Sequence, residues 1–435
     1  MNILNLPSWS VLNTKETDHD YHITVQLTAL PGYCPHCGAA ANLQGYGGKE
    51  QLFLDLPIQM KRVAILVQRR RFKCKECKRT FLELLPDMDE DHLMTRRLVG
   101  YIQEQSLNRT FVDVADLVGV DEKTVRLIFK DYVKGLEAAY SFVTPPTLGI
   151  DELHLIGKPR CILTNVEQRT IIDMLKDRNQ DTVQKYLSKL EEGHRVEVVV
   201  MDMWRPYRQA VAAVLPNATV VVDKFHIQRM ANDALEGVRK ALRESLSDKR
   251  RRTLKKDRYI LLRRRHDLKD EDLIILESWT HNFPTLGAAY NAKEDFFKIW
   301  DETDRQAAED KYTAWRNDLP LEVADHFEPI VTAMGNWYDP IFAYFDTGLT
   351  NAYTEALNGL VKVINRTGRG YSFEAIRAKI LFSAGLHKVQ RPIVRKSIRE
   401  KPSPPPEEQP VNFGTDISTL TKQLKLGAFH ALSTH

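Results

Sequence analysis

No apolar run in this 435-residue chain approaches the ~20 residues that a membrane-spanning helix needs. The opening MNILNLPSWS has neither a basic leader nor an apolar stretch behind it, so no secretory signal is legible. The expectation is a cytoplasmic protein with no membrane partner. Cysteine is also scarce, with five residues in all. Net charge is slight at +4, which gives the chain as a whole no strong polyelectrolyte character. A hydrophobic fraction of 43% and a charged fraction of 28% are ordinary for globular protein. The length predicts two to four structural units.

What charge there is lies unevenly. Residues 60–80 hold nine Lys/Arg against one acid, and residues 239–265 hold thirteen against three. The rest of the chain is therefore net acidic. Basic patches on a near-neutral chain point to a polyanion partner, although a charge run can also be a solvated helix face.

Four of the five cysteines form two pairs, Cys34-Pro-His-Cys37 and Cys74-Lys-Glu-Cys77, separated by 36 residues. Each CxxC makes a knuckle with two convergent thiolates, and two knuckles complete a tetrahedral four-sulfur site for one structural Zn²⁺. A thiol oxidoreductase using the same pairs is the competing reading. Cys161, in the apolar run CILTNV, reads as a buried core thiol. The segments HITVQLTAL, Gln51–Leu56 and Arg62–Gln68 alternate, so residues 1–86 read as a small zinc-binding β domain of zinc-ribbon or treble-clef type. The site would support a domain otherwise short of core. Arg69, Arg70 and Arg71 beside the second knuckle are expected to contact DNA phosphates.

Residues 87–144 read as a helical domain. Phe111, Val114, Ala115 and Val118 share one face of a helix that ends at Gly119. Asp121 then caps a second helix with Val125, Ile128 and Phe129 inward. This is a helix-turn-helix pattern, with Lys123, Thr124 and Arg126 placed to meet DNA; an ordinary helical hairpin is the alternative.

After Pro145-Pro146, strands are predicted over Leu148–Ile156, Cys161–Val166 and Thr170–Leu175, followed by a helix over Thr182–Leu190. The stretch VEVVVMDMWRPYRQAVAAVLPNATVVVDKFH adds two β-branched runs around a helix, ending in Asp202 and Asp223. The order β-β-β-α-β-α-β is that of an RNase H-like α/β core, in which the first and fourth strands are neighbours. Asp151 on the first and Asp202 ending the fourth would then face each other. An acid at the carboxyl end of a buried strand sits where open α/β sheets place their chemistry. Asp223 and His226 read as a pair joining the last strand to a helical insertion rather than as a metal site.

Residues 145–226 form the first part of this core. Residues 227–345 read as an all-α insertion with its own core, and residues 346–400 as the core's C-terminal helices. In TGLTNAYTEALNGLVKVINRTGRGY, residues Asn351, Glu355, Asn358, Lys362 and Asn365 fall within about 80° of one helix face. Tyr353, Ala356, Leu357, Leu360, Val363 and Ile364 are expected to bury the opposite face. Residues 401–435 are a proline-rich linker and a tail of no assigned role.

Asp151, Asp202 and Glu355 thus offer three hard carboxylates on three separate elements. Such a set can hold two Mg²⁺ (or Mn²⁺) ions for in-line phosphoryl transfer. The motifs CPxCG (Cys34–Gly38), RRRFKCxxCxRTF, IDE, MDMxxPY, PNAxxVxDxFH and TNxxxExLN with a following KxxxR resemble those of DDE-class insertion-sequence transposases of the ISL-three family. Thr350 stands where a serine is more usual.

The resemblance implies that Asp151, Asp202 and Glu355 are the catalytic triad and that the helical region is an insertion between the second Asp and the Glu. It implies double-stranded DNA as partner, both element inverted repeats and target. Lys362 and Arg366 are expected on the DNA, with Glu152, Asn351 and Asn358 supporting the acids. Bringing two ends together makes a homodimer the minimal expectation, and the partner places the protein at the nucleoid. A non-enzymatic, zinc-stabilised DNA-binding regulator derived from such an enzyme is the other reading.

Overall fold

A computed structural model describes residues 4–385. The first module is a twisted sheet of strands β1 (Trp9–Glu16), β2 (Asp20–Leu27), β3 (Leu43–Ile58), β4 (Lys61–Cys74), β5 (Thr80–Leu82), β6 (Met88–Asp89) and β7 (Met94–Thr95). Its order is β1-β2-β4-β3-β7-β6, with β5 on β4. Alternating residues Ile23, Val25, Phe53, Val63, Ile65 and Val67 point to one face and are fully buried there. At about 1.5–3 kcal/mol for each such side chain, this is a substantial core. The cysteines lie at the far end of the β3–β4 ribbon, where Leu43 pairs with Cys74. The module is therefore not short of core, contrary to the expectation from sequence; the cysteine cluster closes the ribbon's exposed tip.

Helices α1 (Arg96–Asn108), α2 (Phe111–Val118) and α3 (Glu122–Ala139) follow. Each starts at a capping side chain: Thr95, Thr110 and Asp121 accept from the N–H of Leu98, Asp113 and Lys123. The α2–α3 turn needs Gly119, which has φ 72° and lies where a Cβ would meet the Arg62 side chain at 2.4 Å. The inward residues of α2 and α3 are those predicted. They share an apolar cluster with Leu153, Leu155, Ile162, Ile171 and Met174 of the second sheet. The helix-turn-helix is thus packed on the α/β core.

That core has strands β8 (Thr147–Leu155), β9 (Lys158–Asn165), β10 (Thr170–Leu175), β11 (Val198–Met201) and β12 (Thr219–Val222), in the order β10-β9-β8-β11-β12. The pairs β8–β9 and β9–β10 are antiparallel, while β8–β11 and β11–β12 are parallel. Helices α4 (Gln180–Leu187) and α5 (Arg205–Val214) complete the RNase H-like arrangement. The register pairs Ile150 with Met201, so Asp151 and Asp202 come out of adjacent strands side by side.

From β12 the chain enters α6 (Lys224–Glu244), then α7 (Asp248–Lys256), α8 (Arg258–Leu262), α9 (Asp270–Asn282), α10 (Pro284–Lys298), α11 (Arg305–Asn317), α12 (Leu321–Asn336) and α13 (Tyr338–Thr347). The insertion does not have a core of its own. Ile150, Met201 and Tyr207 belong to one continuous apolar cluster with Ile227, Leu235, Phe327 and Trp337. Helix α6 carries this continuity, with one end on the sheet and its length in the insertion. Helix α14 (Ala352–Gly368) then returns to β8, followed by α15 (Phe373–Lys379) and a π-helical turn, Ile380–Gly385. No helix among the described residues is long and apolar enough to cross a membrane. The proline-rich linker and tail lie outside the described residues.

Candidate active site

Asp151 lies on β8, the central strand of the sheet, and is 4% exposed. One of its carboxylate oxygens accepts the Glu152 N–H at 2.7 Å, and the other accepts the Asn358 amide at 2.7 Å. Asp202 follows the last residue of β11. His226, in the first turn of α6, brings Nε2 to 2.7 Å from Asp202 Oδ1 and to 3.9 Å from Glu355 Oε1. The Asp202 approach lies off the hydrogen-bond direction, and that oxygen accepts no hydrogen bond among the described residues; the pair is first a charge contact. Arg229, one turn further along α6, is 3.9 Å from Glu355.

Ligand-competent atoms of Asp151, Asp202 and His226 lie within 4.8 Å of one another, and so do those of Asp223, His226 and Glu355. His226 belongs to both groups and stands between Asp202 and Glu355. The strand-end reasoning that singled out Asp202 applies equally to Asp223 and its helix, and would have brought His226 to the same rim. Asp223 is buried and caps α6 by accepting the Phe225 N–H at 3.1 Å. It also accepts the Asn351 N–H at 3.2 Å, so it joins β12 to α6 and also to α14.

The electrostatics follow from crowding acids in a buried place. Burial first, and then the negative charge of Asp202, push the Asp151 carboxyl up to about 9. Burial likewise raises Asp223. For His226, burial opposes the charged form, but contact with Asp202 and the fields of Asp151 and Asp223 outweigh it and its pKa is raised. The site thus crowds acids together in a buried place and favours the charged form of the His226 imidazole beside them. Hard carboxylate oxygens with an unpartnered acceptor at Asp202 are the donor chemistry that suits a hard divalent cation. Asn358 Oδ1 is a second buried oxygen without a hydrogen-bond partner among the described residues.

Helix α14 sits on β8 by a flank that takes in two of the asparagines expected to be open, Asn351 and Asn358, and one of the apolar residues expected to be buried, Leu357. Asn351, Thr354, Leu357, Asn358 and Val361 are buried, while Leu360 and Val363 are exposed. The reason is polar. Asn351 donates to Ile150 O at 3.2 Å, Thr354 bonds Asn351 and lies 2.8 Å from Thr164 Oγ1, and Asn358 holds Asp151. Gly149 permits the approach: a Cβ there would lie 2.3 Å from Thr164 Oγ1 and 2.9 Å from both Asn351 Oδ1 and Thr354 Oγ1. Between these buried positions Glu355 keeps a half-open carboxylate on the side of His226. Glu152 turns away to Arg178 and to His154 at 3.1 Å, and Arg178 lies 4.1 Å over the Trp204 ring.

The expected DNA contacts divide. Arg69 is buried, pairs with both oxygens of Glu90 at 2.7 and 2.9 Å, and donates to Glu83 O. Arg70 binds the Glu83 carboxylate at 2.8 Å and the carbonyls of Leu27 and Ala29. Both guanidinium groups are engaged in holding the sheet, which corrects the phosphate-contacting role expected of them. Arg71 is exposed on the same strand. Lys123 is exposed early in α3 and Thr124 is half-buried beside it. Arg126 is tied to Glu122 at 2.7 Å and lies over the Phe111 ring. Lys362 and Arg366 are exposed on the later turns of α14.

At the ribbon tip, Cys34 Sγ lies 3.7 Å from Cys77 Sγ, and Cys37 Sγ lies 3.7 Å from Cys74 Sγ. All four sulfurs fall within 4.8 Å of one another. A disulfide needs about 2.05 Å, whereas thiolates about 2.3 Å from one tetrahedral ion stand roughly 3.7–3.8 Å apart. The geometry fits zinc and not a redox pair. Burial opposes ionisation of Cys34, but the N–H groups of His36 and Cys37 bring its thiol down to about 7, toward the thiolate a metal needs.

Comparison with known proteins gives three matches in chain order. Residues 30–77 match the zinc finger of transposases IS204/IS1001/IS1096/IS1165, residues 83–133 the helix-turn-helix domain of transposase family ISL3, and residues 148–380 the ISL3 transposase domain itself. The chain belongs to the ISL3 family of transposases. A curated relative, the transposase for insertion sequence element IS1001 of Bordetella parapertussis, is 23% identical over 356 residues, covering 80% of this chain and 87% of that protein. An ISL3 transposase is a DNA-processing enzyme, and its zinc ribbon and helix-turn-helix are DNA-binding domains. The acid cluster lies inside the matched transposase domain, and the four cysteines inside the matched zinc finger.

Proposed function

We propose that this ISL3 transposase binds the terminal inverted repeats of a mobile element through residues 1–86 and 87–144, and cuts and rejoins DNA with Asp151, Asp202 and Glu355. The observation that carries the reading is that Asp151 and Asp202 gather with His226 at the carboxyl ends of β8 and β11, and that His226 in turn reaches Glu355 on α14. Two Mg²⁺ ions held by the three carboxylates would stabilise the attacking and the leaving oxygen of an in-line displacement. In the first step a water oxygen forms a bond to the scissile phosphorus and the bond to the 3′ oxygen breaks, leaving a 3′-OH. In the second step that 3′-OH forms a bond to a target phosphorus while the target strand's bond from that phosphorus to its 3′ oxygen breaks, leaving a 3′-OH on the target strand.

The protein's own part is positioning. Asn358 fixes Asp151, and Asn351 and Thr354 hold α14 so that Glu355 faces the aspartates. Arg71, Lys123, Thr124, Lys362 and Arg366 are the residues proposed to meet DNA, with Arg229 close enough to Glu355 to face a bound phosphate. Glu152 supports the site through Arg178. A homodimer is the smallest assembly that holds two ends together.

The test is Asp202→Ala or Glu355→Ala in a strand-cutting assay on DNA carrying the ends of the element that encodes this chain. Cutting is expected to be abolished while end binding persists. Undiminished cutting by either variant sinks the assignment. End binding by the wild type with no Mg²⁺-dependent cutting supports the regulator instead.

A further inference from the structure

The second basic patch of the sequence has no part in the site described so far. Its densest exposed portion is α7, DKRRRTLKK. Leu254 of this helix is fully buried and shares a cluster with Leu246 and Leu261, so the helix is held against the insertion by one side. Lys249, Arg250, Arg252, Lys255 and Lys256 are all exposed. At ~100° per residue, Lys249, Arg252 and Lys256 fall within about 60° of arc, opposite Leu254.

A solvated helix face normally interleaves acids with bases at three- and four-residue spacing. Here most of the nearby acids face other partners. Asp248 faces Arg251 at 3.6 Å, Asp257 accepts the Trp279 indole N–H at 2.8 Å, and Glu236 takes Arg239 and Arg258. The five exposed cations make no ion pair among the described residues. They form a predominantly basic surface, with Asp248 the one acid exposed on the same helix.

Helix α6 leads from the acids toward that surface. His226 lies in its first turn, and its 21 residues at ~1.5 Å each span about 30 Å. Helix α7 begins four residues after α6 ends. The length of α6 is close to one turn of DNA, about 34–36 Å.

We propose that α7 grips the phosphate backbone of duplex DNA about one helical turn from the phosphate that reacts. This rests on the reading that an element end occupies the acid cluster. The function of the insertion is then to hold the duplex flanking that end.

The test compares full-length wild type with the Lys249→Gln, Arg252→Gln, Lys255→Gln, Lys256→Gln variant, all at exposed positions. Binding to an element-end duplex is measured across a salt series. Each phosphate no longer neutralised flattens log K against log salt by about 0.9, so a drop of roughly 2–4 in slope is expected. The difference should vanish on a duplex trimmed to about half a helical turn beyond the cutting position, and remain on one extending about two turns. A Lys↔Arg exchange at the same four positions keeps the charge and should restore the wild-type slope. Equal slopes for wild type and the glutamine variant overturn this inference alone. A wild type that binds no element-end DNA overturns the functional reading as well.

Discussion

Gly149 and Asn358 show how single residues set the acid cluster. Gly149→Ala puts a methyl group into space already taken by Thr164, Asn351 and Thr354. Overpacking of this kind costs about 1–3 kcal/mol, and here it lifts α14 away from β8. The expected result is a lower thermal midpoint with strand cutting lost and end binding kept; a variant that cuts normally would falsify the seating of α14 on Gly149. Asn358→Leu keeps the volume and removes the one side-chain amide that donates to Asp151 among the described residues. It should reduce cutting much more than stability, which thermal melting and a single-turnover assay separate. At this scale Asp151, Asp202 and the four cysteines were legible because strand ends and CxxC spacing are local patterns. His226 was read only as a joint between strand and insertion, because its place among the acids depends on α6 starting beside β11. Arg69 and Arg70 misled for a related reason: a charge run does not reveal that Glu83 and Glu90 fold back onto it.

Among the elements, α14 departs most from its periodicity. Both its faces carry helical spacing, one amide-rich and one apolar, and the apolar one would ordinarily be buried. Asn351 and Asn358 of the amide face are buried because they meet the backbone of β8 and the Asp151 carboxylate, partners that no pattern within the helix announces. The zinc ribbon makes a separate prediction. Since the sheet has its own core, chelating the metal should loosen residues near the cysteines while the strands around Ile23, Phe53 and Ile65 stay intact. Amide hydrogen exchange should rise near the knuckles alone; global unfolding of the sheet contradicts this.

Helix α15 offers a third case. Lys379 is buried over the rings of Phe111, Phe129 and Tyr371 and donates to the carbonyls of Ser106 and Arg109, joining the core to the helix-turn-helix. Lys379→Met strands those carbonyls, at about 1–3 kcal/mol each. Burial lowers the Lys379 pKa from 10.5 to about 8. The unfolded chain therefore binds this proton more tightly, and the penalty acts in full below pH 8 and fades as pH rises toward 10.5. Relative to Lys379→Met, the wild type should gain stability between about pH 8 and about pH 10; denaturant midpoints at both pH values measure it.

Over the whole molecule, the order of modules was legible from composition and motif, and the RNase H-like strand order followed from the alternation of patterns. The continuity between modules was not. The helix-turn-helix shares apolar packing with the catalytic sheet, and the insertion shares its core with it through α6. Such contacts join residues far apart in the chain, and either side alone looks like an ordinary amphipathic face. One consequence is mechanical: the helix-turn-helix, the acid cluster and α7 belong to one packed body, so a duplex bound along it would meet them at a fixed spacing.

The most direct test of the central claim is the appearance of a free 3′-OH on a labelled element-end duplex, followed with Mg²⁺, with Ca²⁺ and with a chelator. Cutting is expected from the wild type with Mg²⁺, none with Ca²⁺ or chelator, and none from Asp202→Asn under any condition. Cutting that persists in the chelator, or in Asp202→Asn with Mg²⁺, would contradict the assignment of the three acids.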